Sequence, residues 1–424
     1  MANRPRLRVA IFGGGMIANV HRRSALLAGA QLVAVLDRSP SDSARLAELW
    51  GVDQVYTDAD QVLASGIDVL HVCTPNATHA GYAKKALAAG VHVICEKPLA
   101  VTSREADQLT ELASARGLVA AVPFVYRFHP LVREIRARRM AGSFGPWWLI
   151  HGSYLQDWLA SPSASNWRVD PAEAGASRAF ADIGSHWCDL VEWVAGERIV
   201  ELVADTATAI PRRPATSGPT FSNSLTSASA PLAEVKTEDI VNMAFRTASG
   251  VPGSLTVSQV SPGRKNRLWF ELDGATGSAV FDQENPETIW LGQEAESRLL
   301  TRDPGHGSPE ARRLSALPSG HVQGWAACFE SFVADVYATV RGEQVEGLPT
   351  FADGARAARI VDAVLKSAQE RAWVKVAGSE PGPADPSSQA SAGSVPAGAP
   401  VRLEVPGSAS QSNSQTEGTS VASD

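Results

Sequence analysis

What is scarce in this sequence narrows the field first. It has four cysteines, Cys73, Cys95, Cys188 and Cys328, set far apart and with no Cys-x-x-Cys pair. That spacing excludes a cysteine-built zinc site and a disulfide framework, so no metal is expected. Reduced thiols in a cytoplasmic protein fit it. A surplus of basic residues is also missing: the net charge is -7, which removes the basic face that sequence-independent nucleic-acid binding needs. No run approaches the ~20 apolar residues of a membrane helix, so no membrane partner is expected. The basic opening from Met1 to Arg8 is no signal peptide, because Gly13-Gly14-Gly15 breaks the apolar run behind it. No internal repeat is visible. From 377 to 424 aromatic residues are absent and Ser, Ala, Gly and Pro dominate, which predicts a disordered tail.

What is present is a globular composition. A hydrophobic fraction of 44% against 20% charged residues is enough to bury a real core, and the length suits two or three domains.

The first part, residues 1–123, reads as alternating strands and helices, hence βαβ units and a parallel sheet. Leu7–Phe12 is a strand that runs into Gly13-Gly14-Gly15-Met16-Ile17-Ala18 and a helix to about Ala28. This is the alanine form of the G-x-G-x-x-G dinucleotide fingerprint. Gly13 permits the turn, Gly15 lets a pyrophosphate approach, and the helix N-terminus offers free N–H groups, with Met16 and Ile17 beside them. A second strand, Gln31–Leu36, ends at Asp37, placed to bond the adenosine ribose hydroxyls. Asp37 repels a 2′-phosphate, so NAD is expected ahead of NADP; Arg38 keeps NADP open. The alternation continues through helices at 43–50 and 59–65, a short strand at Gln54-Val55-Tyr56, a strand at 69–73, a helix at 79–89, and a helix at 103–116 capped by Gly117.

Two strand ends then carry chemistry. Val69–Cys73 ends in Thr74-Pro75-Asn76, and Val91–Cys95 ends in Glu96-Lys97-Pro98. Both leave the carboxyl edge of one sheet, where open α/β folds bind their ligands. His79, three residues after Asn76, is either a helix-start histidine bonded to backbone or part of the site.

In the second part, 124–376, the stretch Asp182-Ile183-Gly184-Ser185-His186 stands out. Ser185 reads as the N-cap of a helix ending near Ala195, with Gly196 beyond it. Asp182 and His186 are four apart, so a helix-like turn puts both on one side and within reach of a hydrogen bond. A carboxylate beside an imidazole raises its basicity. Gln156-Asp157 either lines a pocket or is an exposed loop. Residues 199–290 read as antiparallel strands, the Pro211–Pro231 excursion as a long loop, and 324–341 and 352–371 as helices.

Gly13-Gly14-Gly15-Met16-Ile17-Ala18, Thr74-Pro75-Asn76 and Glu96-Lys97-Pro98, in this order and spacing, resemble the Gfo/Idh/MocA family of glucose–fructose oxidoreductases and inositol dehydrogenases. The resemblance covers residues 6–376. It implies an α/β Rossmann domain followed by an α+β domain with a large open, mainly antiparallel sheet. A nicotinamide cofactor, a cis Lys97–Pro98 bond and a sugar or cyclitol substrate are implied with it. It points to Lys97, Asp182 and His186 as catalytic residues, with Asp182 orienting His186. It adds Thr74, Pro75, Asn76, Glu96, Trp167 and Arg168 beside the cofactor, and a Tyr126-Arg127 pair at the cleft, where Arg127 either positions the substrate or forms an interdomain ion pair; His79 beside the cofactor and Asp157 beside the substrate complete the candidate set. The implied activity is NAD-dependent oxidation of a secondary hydroxyl of a sugar, cyclitol or related polyol. Arg38 keeps open an NADPH-dependent keto-sugar reductase, and the tail a non-catalytic nucleotide-binding sensor. An open sheet of this size leaves a face that pairs with another copy, so a homodimer or homotetramer is expected.

Overall fold

The computed structural model describes residues 5–215 and 231–379. Most of the expected Pro211–Pro231 loop, and the tail beyond Ser379, lie outside the described residues.

The chain opens with β1 (Arg8–Phe12), α1 (Met16–Leu27), β2 (Gln31–Leu36), α2 (Pro40–Trp50), α3 (Ala59–Leu63), β3 (Val69–Val72), α4 (Asn76–Ala88), β4 (His92–Cys95), α5 (Ser103–Arg116) and β5 (Ala120–Ala121). The five strands form one parallel sheet in the order β2-β1-β3-β4-β5. The strand residues are buried on both faces, as a sheet covered by helices on each side requires. Local signals place the helices. Ser39 caps α2 ahead of Pro40, Asp58 caps α3, Thr102 caps α5, and Gly117 closes α5 in the left-handed conformation. The expected strand at Gln54-Val55-Tyr56 does not form: the segment is a loop in which Val55 stays 43% exposed and Tyr56 packs on the first core as a single anchor.

The second part begins with a 3-10 turn at Val125–Phe128. It continues through α6 (Pro130–Met140), β6 (Trp147–Leu155), α7 (Pro171–Ala174), a π turn at Phe180–Gly184, and α8 (Ser185–Ala195). Then come β7 (Ile199–Ala207), β8 (Arg212–Pro214), β9 (Leu232–Glu234), β10 (Ile240–Thr247), β11 (Pro252–Ser258), β12 (Arg267–Gly274), β13 (Ser278–Asp282), β14 (Thr288–Gly292) and β15 (Ser297–Thr301). The last elements are α9 (Pro309–Leu314), α10 (Trp325–Val340), α11 (Phe351–Glu370) and β16 (Val374–Lys375). Nine strands make one sheet in the order β15-β14-β13-β12-β6-β11-β10-β7-β16, antiparallel except where β6 meets β11. Strands β14 and β15 extend it past the sequence reading.

One face of this sheet packs on α8 through Leu268, Phe270, Leu255, Val257, Trp187 and Val191. The other face is open. The alternation along β12 (iBiBiBii) records this directly. Helix α10 returns to the first sheet: Phe329, Phe332, Val333 and Val336 bury against Val9, Val69, Ile94 and Ala121. Helix α11 touches both cores, with Ala355 and Ala358 toward the first and Ile360 and Val364 toward the second. Ser185 is not an N-cap. Its backbone is already helical, and its hydroxyl donates to the Ala181 carbonyl at 2.7 Å, because the π turn runs straight into α8.

Candidate active site

The β1–α1 turn has the shape a dinucleotide needs. Gly13 has φ +98°, and a Cβ there would strike the Cys73 carbonyl. A Cβ on Gly14 would meet the Asp37 carboxylate. Nothing lies within 4 Å of where a Gly15 Cβ would be, so that side is open to a ligand. No side chain caps α1, and no acidic residue stands in its first turn, so its N–H groups are left to an anion. Met16 is exposed there, whereas Ile17 packs inward on the core. Asp37 follows β2, with Oδ1 accepting from the Arg38 N–H at 2.8 Å. These residues fit NAD: a cradle for the pyrophosphate and a carboxylate for the ribose.

Across the sheet edge, Thr74 accepts a hydrogen bond from the Thr78 hydroxyl, and Asn76 opens α4 while its side-chain amide donates to the Ala174 carbonyl at 3.0 Å. His79 is buried between two carbonyls, Pro98 O and Thr74 O, each at 2.8 Å. It ties the two strand-end loops together, which is the backbone role.

Glu96 also turns inward. Its Oε1 lies 3.0 Å from His21 Nε2, and its Oε2 accepts from the Lys97 N–H. His21 Nδ1 is 2.8 Å from His71 Nδ1, and His71 Nε2 is 2.7 Å from the Tyr337 hydroxyl. Burial opposes the Glu96 charge, but the hydrogen bond from His21, helped by the Lys97 ammonium, holds its pKa below the ordinary carboxylate value. Burial keeps His71 neutral. One tautomer set then satisfies every bond: Tyr337 donates to His71, His71 to His21, and His21 to Glu96. Both oxygens of Glu96 are thus occupied from within the protein, and the expectation that it touches the cofactor is corrected accordingly.

Lys97 leaves the same strand in the opposite direction, ahead of the cis Lys97–Pro98 bond. Its ammonium donates to Asp182 Oδ1 at 2.7 Å and to the Asp182 carbonyl at 2.9 Å. Arg168 Nε is 3.4 Å from the same oxygen, its guanidinium stacked on Trp167 at 4.4 Å. Gln259 donates to Asp182 Oδ2 at 2.7 Å. Burial would raise the Asp182 pKa, yet Lys97 and Arg168 overcome it and hold it far below the ordinary value. The expected Asp182–His186 hydrogen bond is absent. Two cations and an amide outcompete a neutral imidazole for one buried carboxylate.

His186 lies 8% exposed at the start of α8, ringed edge-on by Phe124 and Tyr126 at 5.6 and 5.5 Å. Burial, with Lys97 nearby, pushes its pKa down to about 3. The imidazole is therefore neutral near pH 7. Its Nδ1 is buried without a partner among the described residues. Beside it, Tyr126, Tyr154 and Asn266 close a ring of hydrogen bonds of 2.7, 2.8 and 3.1 Å, joined by Gln156 at 2.9 Å.

Gln259 and Tyr154 escape the sequence reading, although a signal exists. Along β6 and β11, residues 150, 152, 154 and 253, 255, 257 face the core. Gln156 and Gln259 continue those series past the strand ends as polar residues, where apolar ones would otherwise continue the core. Two open alternatives are narrowed. Arg127 takes the ion-pair form: it is 5% exposed, and its guanidinium is held by Asp189 (Nε to Oδ2, 2.8 Å) and by Asp353 at 2.8 Å. Asp157 is held by Lys265 at 2.6 Å and by the Gly263 N–H at 3.0 Å, which closes the loop after β11.

Residues 7–124 match the oxidoreductase family described as an NAD-binding Rossmann fold, and 132–280 match the GFO/IDH/MocA C-terminal domain. A levoglucosan dehydrogenase from Pseudarthrobacter phenanthrenivorans is 30% identical over 390 residues, covering 87% of this chain and 98% of that protein. An inositol 2-dehydrogenase from Rhizobium meliloti is 25% identical over 373 residues, covering 88% and 99%. Among solved structures, a levoglucosan dehydrogenase in complex with NADH and L-sorbose has TM-score 0.79 at 29% identity, covering 88% of this chain and 99% of that one. An inositol dehydrogenase homolog from Azotobacter vinelandii, in complex with NADH and myo-inositol, has TM-score 0.76 at 25% identity, covering 88% and 98%.

Proposed function

This chain belongs to the GFO/IDH/MocA oxidoreductase family, and on that footing we propose how its residues divide the work of an NAD-dependent dehydrogenase acting on a secondary hydroxyl of a sugar, cyclitol or related polyol. When bound, NAD supplies the acceptor for the hydride. Gly13, Gly15 and the N-terminal amides of α1 hold its pyrophosphate, and Asp37 holds its ribose. Thr74, Pro75, Asn76, Trp167 and Arg168 border the cofactor. Residues 1–123 thus bind most of the nucleotide and supply Lys97, and 124–376 bind most of the substrate and supply Trp167 and Arg168 to the cofactor.

His186, neutral at working pH, takes the hydroxyl proton on Nε2, which no protein group occupies among the described residues. Lys97 donates a hydrogen bond to the same oxygen and stabilises the charge that grows there. Asp182 aims Lys97, and Gln259 fixes Asp182. The single observation that carries this reading is the 2.7 Å Lys97–Asp182 pair, which joins the end of β4 to the turn that delivers His186. The polar groups around His186, namely Tyr126, Tyr154, Asn266 and Gln156, are uncharged, which suits a neutral polyol. Burial holds Tyr126 up at about 12, so it stays a donor.

The same proposal places the protein in the cytoplasm, where its four buried thiols stay reduced. It also pairs the open sheet face with a second copy, as a homodimer or homotetramer. Leu149, Trp290 and Leu299 are exposed on that face. Light scattering tests the assembly: a monomer at micromolar concentration removes it. For the activity, the protein is mixed with NAD and a panel of cyclitols, aldoses and anhydrosugars, and absorbance of the reduced nicotinamide is followed. A signal with one polyol supports the assignment. Silence with all of them, despite measurable NAD binding, overturns it.

A further inference from the structure

Absent cysteine pairs led to the expectation of no metal, but the open face of the large sheet carries a different kind of ligand set. His151 on β6 stands directly across from Glu271 on β12, and Asp273 follows two residues later on the same face. His151 Nε2 is 3.7 Å from Glu271 Oε2 and 3.6 Å from Asp273 Oδ2. The three ligating atoms lie within 4.8 Å of one another.

Those separations are too long for hydrogen bonds. They suit an ion between the groups: bonds of about 2.1 Å at angles of roughly 110–120° set donor atoms about 3.4–3.6 Å apart. The charges also fail to balance within the chain. Among the described residues, no lysine or arginine lies within ion-pair distance of Glu271 or Asp273. The nearest basic residue along β12, Arg267, is taken by Ser153 at 2.7 Å and by Asp282 at 3.8 Å. Trp269 packs edge-on against the His151 ring at 5.2 Å and fixes its plane.

We propose that His151, Glu271 and Asp273 bind one divalent transition-metal ion, zinc in the first instance. One imidazole and two carboxylates form a borderline-to-hard donor set that such ions accept, and water, or a group of the second copy proposed to pair with this face, completes the coordination. The ion neutralises the carboxylate pair at the middle of the open face and ties β6 to β12. It takes no part in the hydride reaction. Gly152 and Tyr154, which face α8 and the candidate active site, alternate with His151 and project from the opposite side of the sheet.

The test titrates metal-stripped protein with zinc by calorimetry and with cobalt by its visible absorption. The proteins compared are the wild type, His151→Gln and Asp273→Asn. One zinc per chain is expected, with a tetrahedral-type cobalt spectrum and a raised Tm when zinc is bound. Either substitution should weaken binding by more than about 100-fold, the upper range for loss of a mere outer partner. Both variants change half-buried polar positions on the sheet face, and a melting curve with the wild-type Tm in the absence of metal verifies their folding. Binding undiminished in both variants, or no binding by the wild type, overturns the proposal. So does a shift in association state by Asp273→Asn without metal binding, which would assign the charges to a second copy.

Discussion

The Lys97 ammonium and the Asp182 carboxylate, 2.7 Å apart and both largely buried, form the bond between the nucleotide-binding half and the substrate half at the point where chemistry is expected. With Gln259 on the second oxygen, the carboxylate is committed to the lysine and not to His186. In the proposed mechanism Asp182 is therefore a positioning residue for Lys97.

This arrangement separates the roles of three side chains. Lys97→Ala and His186→Ala should each lower kcat by about 100-fold or more, the usual scale for loss of a proton-transfer group or an oxyanion donor. NAD binding should persist in both. Gln259→Leu should lower kcat less, and should move the pH profile, because it frees Asp182 to turn from Lys97. Steady-state kinetics with fluorescence titration of NAD checks all three. Near-wild-type turnover of Lys97→Ala or His186→Ala would remove the assignment.

Acid should destabilise the fold through its buried neutral histidines. Burial holds His186 and His129 at about 3, against about 6.5 when unfolded. Below pH 6.5 the unfolded chain binds protons that the folded chain refuses, so stability falls as pH falls from 6.5 towards 3. Each such histidine should cost about 2 kcal/mol between pH 7 and pH 5. Urea unfolding at the two pH values measures it; equal midpoints would contradict neutral burial.

The Glu96–His21–His71–Tyr337 chain makes a sharper stability prediction. His21→Ala leaves a buried carboxylate oxygen and the His71 N–H without partners. The expected loss is about 3 kcal/mol, as when one member of a buried charged pair is removed. Tyr337→Phe should cost about 1 kcal/mol, one neutral bond. Denaturation of the two variants, run side by side, tests the ordering.

Cofactor choice should rest on Asp37. Asp37→Ser removes the repulsion toward a 2′-phosphate and leaves Arg38 beside the site. The ratio of kcat/KM for NADP over NAD should then rise at least about tenfold, the equivalent of roughly 1.4 kcal/mol. An unchanged ratio would mean that Asp37 does not face the ribose.

Legibility divided along a physical line. Residues 7–122 were readable almost element by element. A βαβ sheet is written in local signals: buried strands as apolar runs, capping residues, and glycines where only glycine fits, such as Gly13 against the Cys73 carbonyl. The order of Lys97, Asp182 and His186 was readable too, because motifs keep their spacing. What sequence could not settle was the partner of each charge. Asp182 sits four residues from His186, yet it bonds Lys97, 85 residues away. Arg127 suited a substrate and an ion pair equally, and Asp189 and Asp353 claim it. Glu96, next to Lys97 in sequence, bonds to His21 in the opposite direction. A charged side chain pairs with whichever counter-charge the packed chain brings within about 3 Å. Only the assembled tertiary structure decides which one that is.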